Sequence, residues 1–208
     1  MGAMTNVAVL YYSSTGNVFR LAEAAADAAV KAGADVRLHR IPELVDEPPV
    51  TDREAWRRHT ETTAQVPPAT LDDLEWADAV LLGTPVRFGS PAPQVLHFID
   101  TTAALSIAGR LSGKVAGAFA SGSAPHGGQV SAILALHNAF CHWGAVIVST
   151  GSTDPVLFRP DNGNPYGASN VSRNRPGNVG DDNLAAAEFQ ARRSVAIAAA
   201  LAAGLRDG

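Results

Sequence analysis

The sequence lacks the features that mark secreted, membrane-spanning or nucleic-acid-binding proteins. Its 208 residues include a single cysteine, Cys141, which excludes an internal disulfide and favours a reducing compartment, the cytoplasm. No apolar run reaches the roughly 20 residues of a membrane span, and the N-terminus lacks a signal-peptide pattern. The net charge of −4 offers no basic surface to nucleic acid. The six histidines show no metal-ligand spacing, so no metal site is predicted.

No break in composition divides the chain. We therefore predict one α/β domain over residues 4–205, with a connector insertion at 42–70 and a Gly/Asn/Pro-rich loop at 151–180. Connections of this length are unusual in a compact domain unless they have structure or a function of their own.

The most informative stretch is a short apolar run followed by small polar residues. Residues 7–12 are apolar or aromatic, which predicts a strand buried on both faces, and helical spacing begins at Val18. The turn between them starts a helix, where unpaired amides favour an anion. Because it contains no Lys or Arg, we predict a phosphomonoester site made of amides and hydroxyls, without a counter-ion, from Ser13, Ser14, Thr15, Gly16, Asn17 and Val18. The pattern is neither G-x-G-x-x-G nor a Walker A loop, and an ordinary helix N-cap is the alternative.

Four further strands are predicted, at 36–41, 79–83, 114–120 and 145–150, alternating with helices. The first, third and fourth strands end in turns of small residues, whereas the second and fifth do not. This asymmetry predicts a flavodoxin-like, doubly wound parallel sheet of five strands in the order 2-1-3-4-5, with helices on both faces. In that order the three small-residue turns surround one crevice.

Several motifs beyond the first turn support a family resemblance. They are Gly83-Thr84-Pro85-Val86-Arg87-Phe88-Gly89 after the third strand, Gly127-Gly128-Gln129, His142-Trp143-Gly144 and Pro165-Tyr166-Gly167-Ala168. With these motifs the sequence resembles the WrbA-type proteins, the flavodoxin-like family of FMN-dependent NAD(P)H:quinone oxidoreductases.

The resemblance implies FMN as cofactor, NADH or NADPH as co-substrate, and transfer of two electrons to quinones by a ping-pong hydride mechanism in a homotetramer. It implies that residues 13–18 hold the FMN phosphate, and that His142 and Phe88 contact the substrate at the open face. No catalytic acid or base is required, although His142 could donate a proton. The cofactor-binding residues that the resemblance places around the isoalloxazine and ribityl chain are Thr84, Pro85, Val86, Arg87, Phe88, Gly89, Ser121, Gly122, Ser123, Gly127, Gly128 and, at the open face, His142.

Two positions depart from the family pattern. Ser106 stands where the family has a tryptophan that walls the substrate site, and Thr15 replaces an aromatic residue of the phosphate loop. Ser106 is therefore only a weak candidate for substrate contact. Two alternatives to a quinone reductase remain, a flavodoxin-type electron carrier and an FMN-binding protein with little quinone activity.

Overall fold

The apolar runs form a parallel sheet with helices on both of its faces. The computed structural model describes residues 4–46, 48 and 51–204. Its strands are β1 (Asn6–Tyr11), β2 (Asp35–Arg40), β3 (Ala79–Arg87), β4 (Ser90–Pro91), β5 (Val115–Gly122), β6 (Val146–Ile147) and β7 (Ser169–Val171). Its α-helices are α1 (Asn17–Lys31), α2 (Arg53–Thr62), α3 (Leu71–Trp76), α4 (Pro93–Asp100), α5 (Ala103–Ile107), α6 (Gln129–Trp143) and α7 (Asp181–Gly204). The predicted end of the last helix, Leu205, lies outside the described residues.

The parallel strands lie in the order β2-β1-β3-β5-β6. This confirms the predicted order 2-1-3-4-5, because the short β4 pairs antiparallel with β3 and only shifts the numbering. Alternate residues of β1 face opposite sides of the sheet. Val7 and Val9 pack in the core beneath α1 and α7, whereas Ala8 and Leu10 pack in the core beneath α4 and α6.

The fifth strand differs from the prediction at 145–150. It is only two residues long as β6, which pairs with the start of β5, and β7 pairs with the end of β5. Between these two short strands, Gln190 of α7 donates from Nε2 to Ala118 O at 3.1 Å and accepts from Ala168 N at 2.9 Å. The chain returns to β5 at Gly167, where an added Cβ would lie 2.0 Å from Ala118 O. A buried glutamine and a glycine therefore replace the middle of the fifth strand.

The third strand is longer than predicted and ends in a hairpin. Arg87 pairs with Ser90 across a two-residue loop of Phe88 and Gly89, which have φ values of +50° and +81°. Positive φ at both central residues is the requirement of a type I′ turn. The next helix, α4, consequently begins at Pro93, after the second strand of the hairpin.

The connector 42–70 and the loop 151–180 both contain regular structure. The connector contains α2, with Asp52 as its N-cap accepting from Ala55 N at 2.9 Å. The loop contains a 3₁₀ helix, Pro155–Phe158, and β7. The prediction of one domain over 4–205 stays a prediction. Within the part of the chain that the structure describes, no helix is both long and apolar enough to cross a membrane.

Candidate functional site

A cavity of about 370 Å³ opens at the carboxyl ends of β1, β3 and β5. Its size falls in the range of small-molecule sites, roughly 300 to 1,000 Å³. In open α/β sheets this edge is where ligands bind, because the strand order reverses there. The predicted site residues that line the cavity are Ser13, Ser14, Thr15, Asn17, Val18, Pro85, Val86, Arg87, Phe88, Ser121, Gly122 and Ser123.

The loop after β1 leads directly into α1. Gly16 is the N-cap of this helix with φ +94°, a conformation that L residues rarely adopt. Its N–H donates to Ser13 Oγ at 3.1 Å, which closes the turn. No described side chain caps α1, so the first amides of the helix are available to a ligand. The loop thus offers an anion both amides and hydroxyls.

A segment far along the chain packs against this loop. We call residues 172–178, which follow β7, the return segment. Asn17 Nδ2 donates to Arg175 O at 3.0 Å and to Asn178 O at 3.2 Å. Gly177 N donates to Thr15 O at 3.0 Å. These bonds fix the phosphate loop and the return segment relative to each other.

The β3–β4 hairpin forms the opposite wall. Arg87 Nη2 donates to Ser14 Oγ at 3.0 Å, and its Nη1 donates to Val86 O at 3.1 Å. Phe88 is fully exposed although its backbone is left-handed. A bulky residue in this conformation is strained, and such strain concentrates at functional sites.

The loop after β5 forms a third wall. Ser121 Oγ donates to Asn170 Oδ1 at 3.3 Å. An added Cβ at Gly122 would lie 2.9 Å from the Gln129 side chain, which donates to Ala124 O at 2.8 Å. The backbone at Gly122 therefore packs closely on α6, which leaves its other side open to the cavity.

Some predicted contacts lie behind the cavity wall instead of on it. Thr84 is fully buried, and its Oγ1 accepts from Ala92 N at 2.9 Å, which fixes the start of α4. An added Cβ at Gly128 would lie 2.7 Å from the Gly89 Cα, so these two glycines let the hairpin approach the start of α6. Gly127 packs against Ala124 in the same way. These residues position the walls.

The structure does not bring His142 or Ser106 to the cavity of its own chain. His142 lies in the last turn of α6, roughly 20 Å along the helix from its start at the cavity edge. Ser106 on α5 lies beside it, with its Oγ donating to His142 O at 3.5 Å. These two of the three predicted substrate residues therefore lie together on a surface remote from the cavity, whereas the third, Phe88, lines it.

The structure adds cavity residues that the sequence did not indicate. They are Thr51 and Asp52 from the connector, and Ser172, Asn174, Arg175 and Pro176 from the return segment. The return segment follows β7, a short strand outside the predicted fifth strand at 145–150. The Gly/Asn/Pro-rich composition of 151–180 was the available signal.

The charge of the cavity also differs from the prediction. The loop of residues 13–18 is itself uncharged, but Arg87, Arg175 and Asp52 are among the residues that line the cavity. An anion in this cavity would consequently lie near Arg175 as well as near the predicted Arg87, and Arg175 was not predicted from the sequence.

Two ionisable groups beneath the phosphate loop are held neutral. Burial, helped by the hydrogen bond to Glu43, raises the pKa of Tyr12, so its hydroxyl stays protonated. Burial lowers the pKa of His59 on α2, although its hydrogen bond to the Ser13 backbone opposes this shift. Tyr12 and His59 therefore add no charge of their own beneath the loop of residues 13–18 at pH 7.

The sheet order and the neutral anion loop after β1 define a flavodoxin-like protein, and solved structures agree. A flavodoxin, WrbA-like protein from Agrobacterium tumefaciens superposes with a TM-score of 0.63 at 21% identity, covering 93% of this chain and 97% of that chain. A flavodoxin from the domain Archaea gives a TM-score of 0.58 at 18% identity, covering 95% and 99%. These likenesses show the fold.

Sequence comparison identifies the family. The model of NADPH-dependent FMN reductase matches residues 5–153, and the chain belongs to this family. It is 38% identical over 201 residues to an NAD(P)H dehydrogenase (quinone) of Deinococcus radiodurans, covering 97% of this chain and 99% of that protein. It is 40% identical over 209 residues to one of Paracoccus denitrificans, covering 97% of each. The resemblance to the WrbA-type family is confirmed.

Proposed function

We propose that the protein is an FMN-dependent oxidoreductase that transfers two electrons from NAD(P)H to quinones by a ping-pong cycle. The observation that carries this proposal is the convergence of three walls on one cavity: an anion loop, a hairpin with an exposed aromatic residue, and the loop after β5. Relatives with nearly full mutual coverage are named NAD(P)H dehydrogenase (quinone). The single cysteine supports a reducing, cytoplasmic location.

The residues present fit FMN. The phosphate would occupy the loop of residues 13–18, where the left-handed Gly16 and the uncapped start of α1 provide a cradle for an anion. The flavin ring would lie between Pro85–Phe88 and Ser121–Ser123, whose backbones both reach the cavity. FMN supplies the redox chemistry, accepting a hydride from one substrate and reducing the other.

The chain's own residues would bind and orient the substrates. Phe88 presents its ring at the cavity without any covering contact, which suits stacking of nicotinamide and quinone in turn. The two substrates would share one open face, and this sharing is the basis of the ping-pong order. Arg87, anchored to Ser14, would position the negatively charged part of the dinucleotide.

We also propose a homotetramer in which the surface of Ser106 and His142 faces the cavity of a neighbouring subunit. The support is their mutual contact at 3.5 Å, their distance from their own cavity, and the exposure of the adjacent Ile107. Across such an interface, a ring nitrogen of His142 would donate a proton to a quinone oxygen during reduction. Ser106 would leave more room at this site than the tryptophan of the family.

The proposal is tested by steady-state kinetics of the protein loaded with FMN, using NADH, NADPH and benzoquinone. We expect parallel double-reciprocal plots when both substrates are varied, and intersecting plots would contradict the ping-pong order. Near-zero turnover despite bound FMN would favour the FMN-binding alternative. Reduction in two separate one-electron steps would favour a flavodoxin-type carrier.

The shared site is tested by complementation. His142→Asn should lower quinone turnover by about 100-fold, the lower end of general-acid contributions, whereas His97→Asn on exposed α4 should not. Gly16→Val should abolish FMN binding, because a β-branched side chain cannot adopt φ +94°. Mixed oligomers of His142→Asn and Gly16→Val subunits should regain activity. No recovery on mixing would contradict a site shared between subunits.

A further inference from the structure

The loop of residues 13–18 and the start of α1 supply less positive charge than is needed to neutralise a phosphomonoester. A phosphomonoester carries a charge of about −1.5 to −2 at pH 7. The start of a helix supplies the equivalent of roughly half a positive charge. Residues 13–18 contribute no cationic side chain. A further cation close to the loop would therefore strengthen phosphate binding.

Arg175 is the cation that the return segment places beside this loop. Its backbone carbonyl accepts from Asn17 Nδ2 at 3.0 Å, so its main chain lies within one hydrogen bond of the first residue of α1. Arg175 is also among the residues that line the cavity. Among the described residues its guanidinium has no hydrogen-bond or ion-pair partner.

The guanidinium groups of the neighbouring arginines already make hydrogen bonds or ion pairs within the chain. Arg87 Nη2 donates to Ser14 Oγ, and Arg20 Nη1 donates to Gly177 O at 3.1 Å. Arg173 pairs with Asp161 at 3.4 Å and does not line the cavity. Of these arginines, only Arg175 combines a place at the cavity wall with an uncommitted guanidinium.

The backbone that holds Arg175 is strained. The turn from Ser172 is closed by Arg175 N donating to Ser172 O at 3.0 Å. Its central residues, Arg173 and Asn174, have φ values of +52° and +55°. Non-glycine residues persist in this conformation only where the surrounding structure enforces it, and such positions cluster at ligand clamps. The strain therefore supports a binding role for this turn.

We propose that Arg175 binds the phosphate of FMN as its counter-ion and makes the site select phosphorylated flavin over riboflavin. This inference rests on the proposed function, since it takes FMN as the ligand. The guanidinium would approach the phosphate from the return segment while the loop amides approach it from α1. The bonds from Asn17 and Gly177 preorganise this arrangement, which lowers the entropy lost on binding.

The test compares FMN with riboflavin, which lacks only the phosphate. Binding of each to the full-length apoprotein is measured by flavin fluorescence or calorimetry, for the unchanged protein, Arg175→Gln and Arg173→Gln. Arg175→Gln should weaken FMN binding about 10- to 100-fold, the range of a charge-assisted hydrogen bond, and leave riboflavin affinity unchanged. Arg173→Gln should alter neither, because this arginine lies outside the cavity wall.

Salt provides a second readout. FMN affinity of the unchanged protein should fall as ionic strength rises, and Arg175→Gln should lose much of this dependence. Equal effects of Arg175→Gln on both flavins, or on neither, would overturn the inference. So would intact FMN affinity with a raised KM for NADPH, which would assign Arg175 to the dinucleotide. If the unchanged protein binds neither flavin, the proposed function itself fails.

Discussion

Glu43 of the connector makes a contact network whose removal should cost measurable stability. Its Oε1 accepts from the Tyr12 hydroxyl at 2.7 Å and from Trp56 Nε1 at 3.0 Å. Its Oε2 accepts from Gln94 Nε2 at 2.7 Å. These donors come from the end of β1, from α2 and from α4. One carboxylate therefore joins the connector to the end of β1 and to α4.

The expected cost of Glu43→Ala follows from these three bonds. A hydrogen bond to a charged group contributes about 1.5–3 kcal/mol when buried. Because Glu43 is half-buried, solvent replaces part of each bond, and we expect a total loss of about 2–3 kcal/mol. For a chain of this length each kcal/mol shifts the Tm by roughly 2–4 °C. The Tm should thus fall by about 4–12 °C.

The assay is thermal and urea unfolding of the apoprotein. Glu43→Gln should cost less than the alanine variant, because an amide oxygen still accepts from Tyr12 and Trp56. Asp46→Ala is the matched control, since it removes one negative charge from an exposed position of the same connector and should change stability by under about 0.5 kcal/mol.

A loss for Glu43→Ala no larger than that of Asp46→Ala would refute the reasoning. It would mean that the connector contributes little to the folded domain. The helix α2 would then be only weakly attached to the rest of the domain. The contacts of Glu43 would no longer explain why Thr51 and Asp52, at the start of this helix, line the cavity.

Three further substitutions probe the core, the hairpin and the edge of the sheet. Burial opposes ionisation of Asp73, but hydrogen bonds, first from His39, hold the pKa of its carboxyl below the usual value. The carboxylate of Asp73 therefore stabilises the fold above about pH 4, and this stability is lost as pH falls through the lowered pKa. Asp73→Asn should flatten this acid limb in urea unfolding between pH 2.5 and 6, and an unchanged limb would contradict the assignment. Phe88→Gly should stabilise the apoprotein by about 1 kcal/mol by relieving the left-handed strain while raising the KM for quinone several-fold, and a loss of stability would show that no strain was present. Gly167→Ala should lower the free energy of unfolding by about 3 kcal/mol or more, because the added Cβ would lie 2.0 Å from Ala118 O, a backbone atom that cannot move aside. A melting curve like that of the unchanged protein would disprove this contact.

Much of the architecture could be read from local pattern. The unbroken apolar run of β1 and the helical period from Val18 report burial directly, because each depends only on neighbours in sequence. The strand order followed from where small residues end the strands, and the structure confirmed it. The helix within the connector agrees with the expectation that so long a connection has structure of its own.

What the sequence by itself determined was therefore the first four parallel strands, the order of the parallel strands in the sheet, and the small-residue loops at one edge. The tertiary structure alone decided that the fifth strand is split, that the return segment reaches the phosphate loop, and that His142 leaves the cavity of its own chain. The physical reason is separation along the chain. Asn17 donates a hydrogen bond to Arg175, which lies 158 positions away in the sequence. Gly167 packs against the Ala118 carbonyl, which lies on β5. No local periodicity in the sequence encodes either contact.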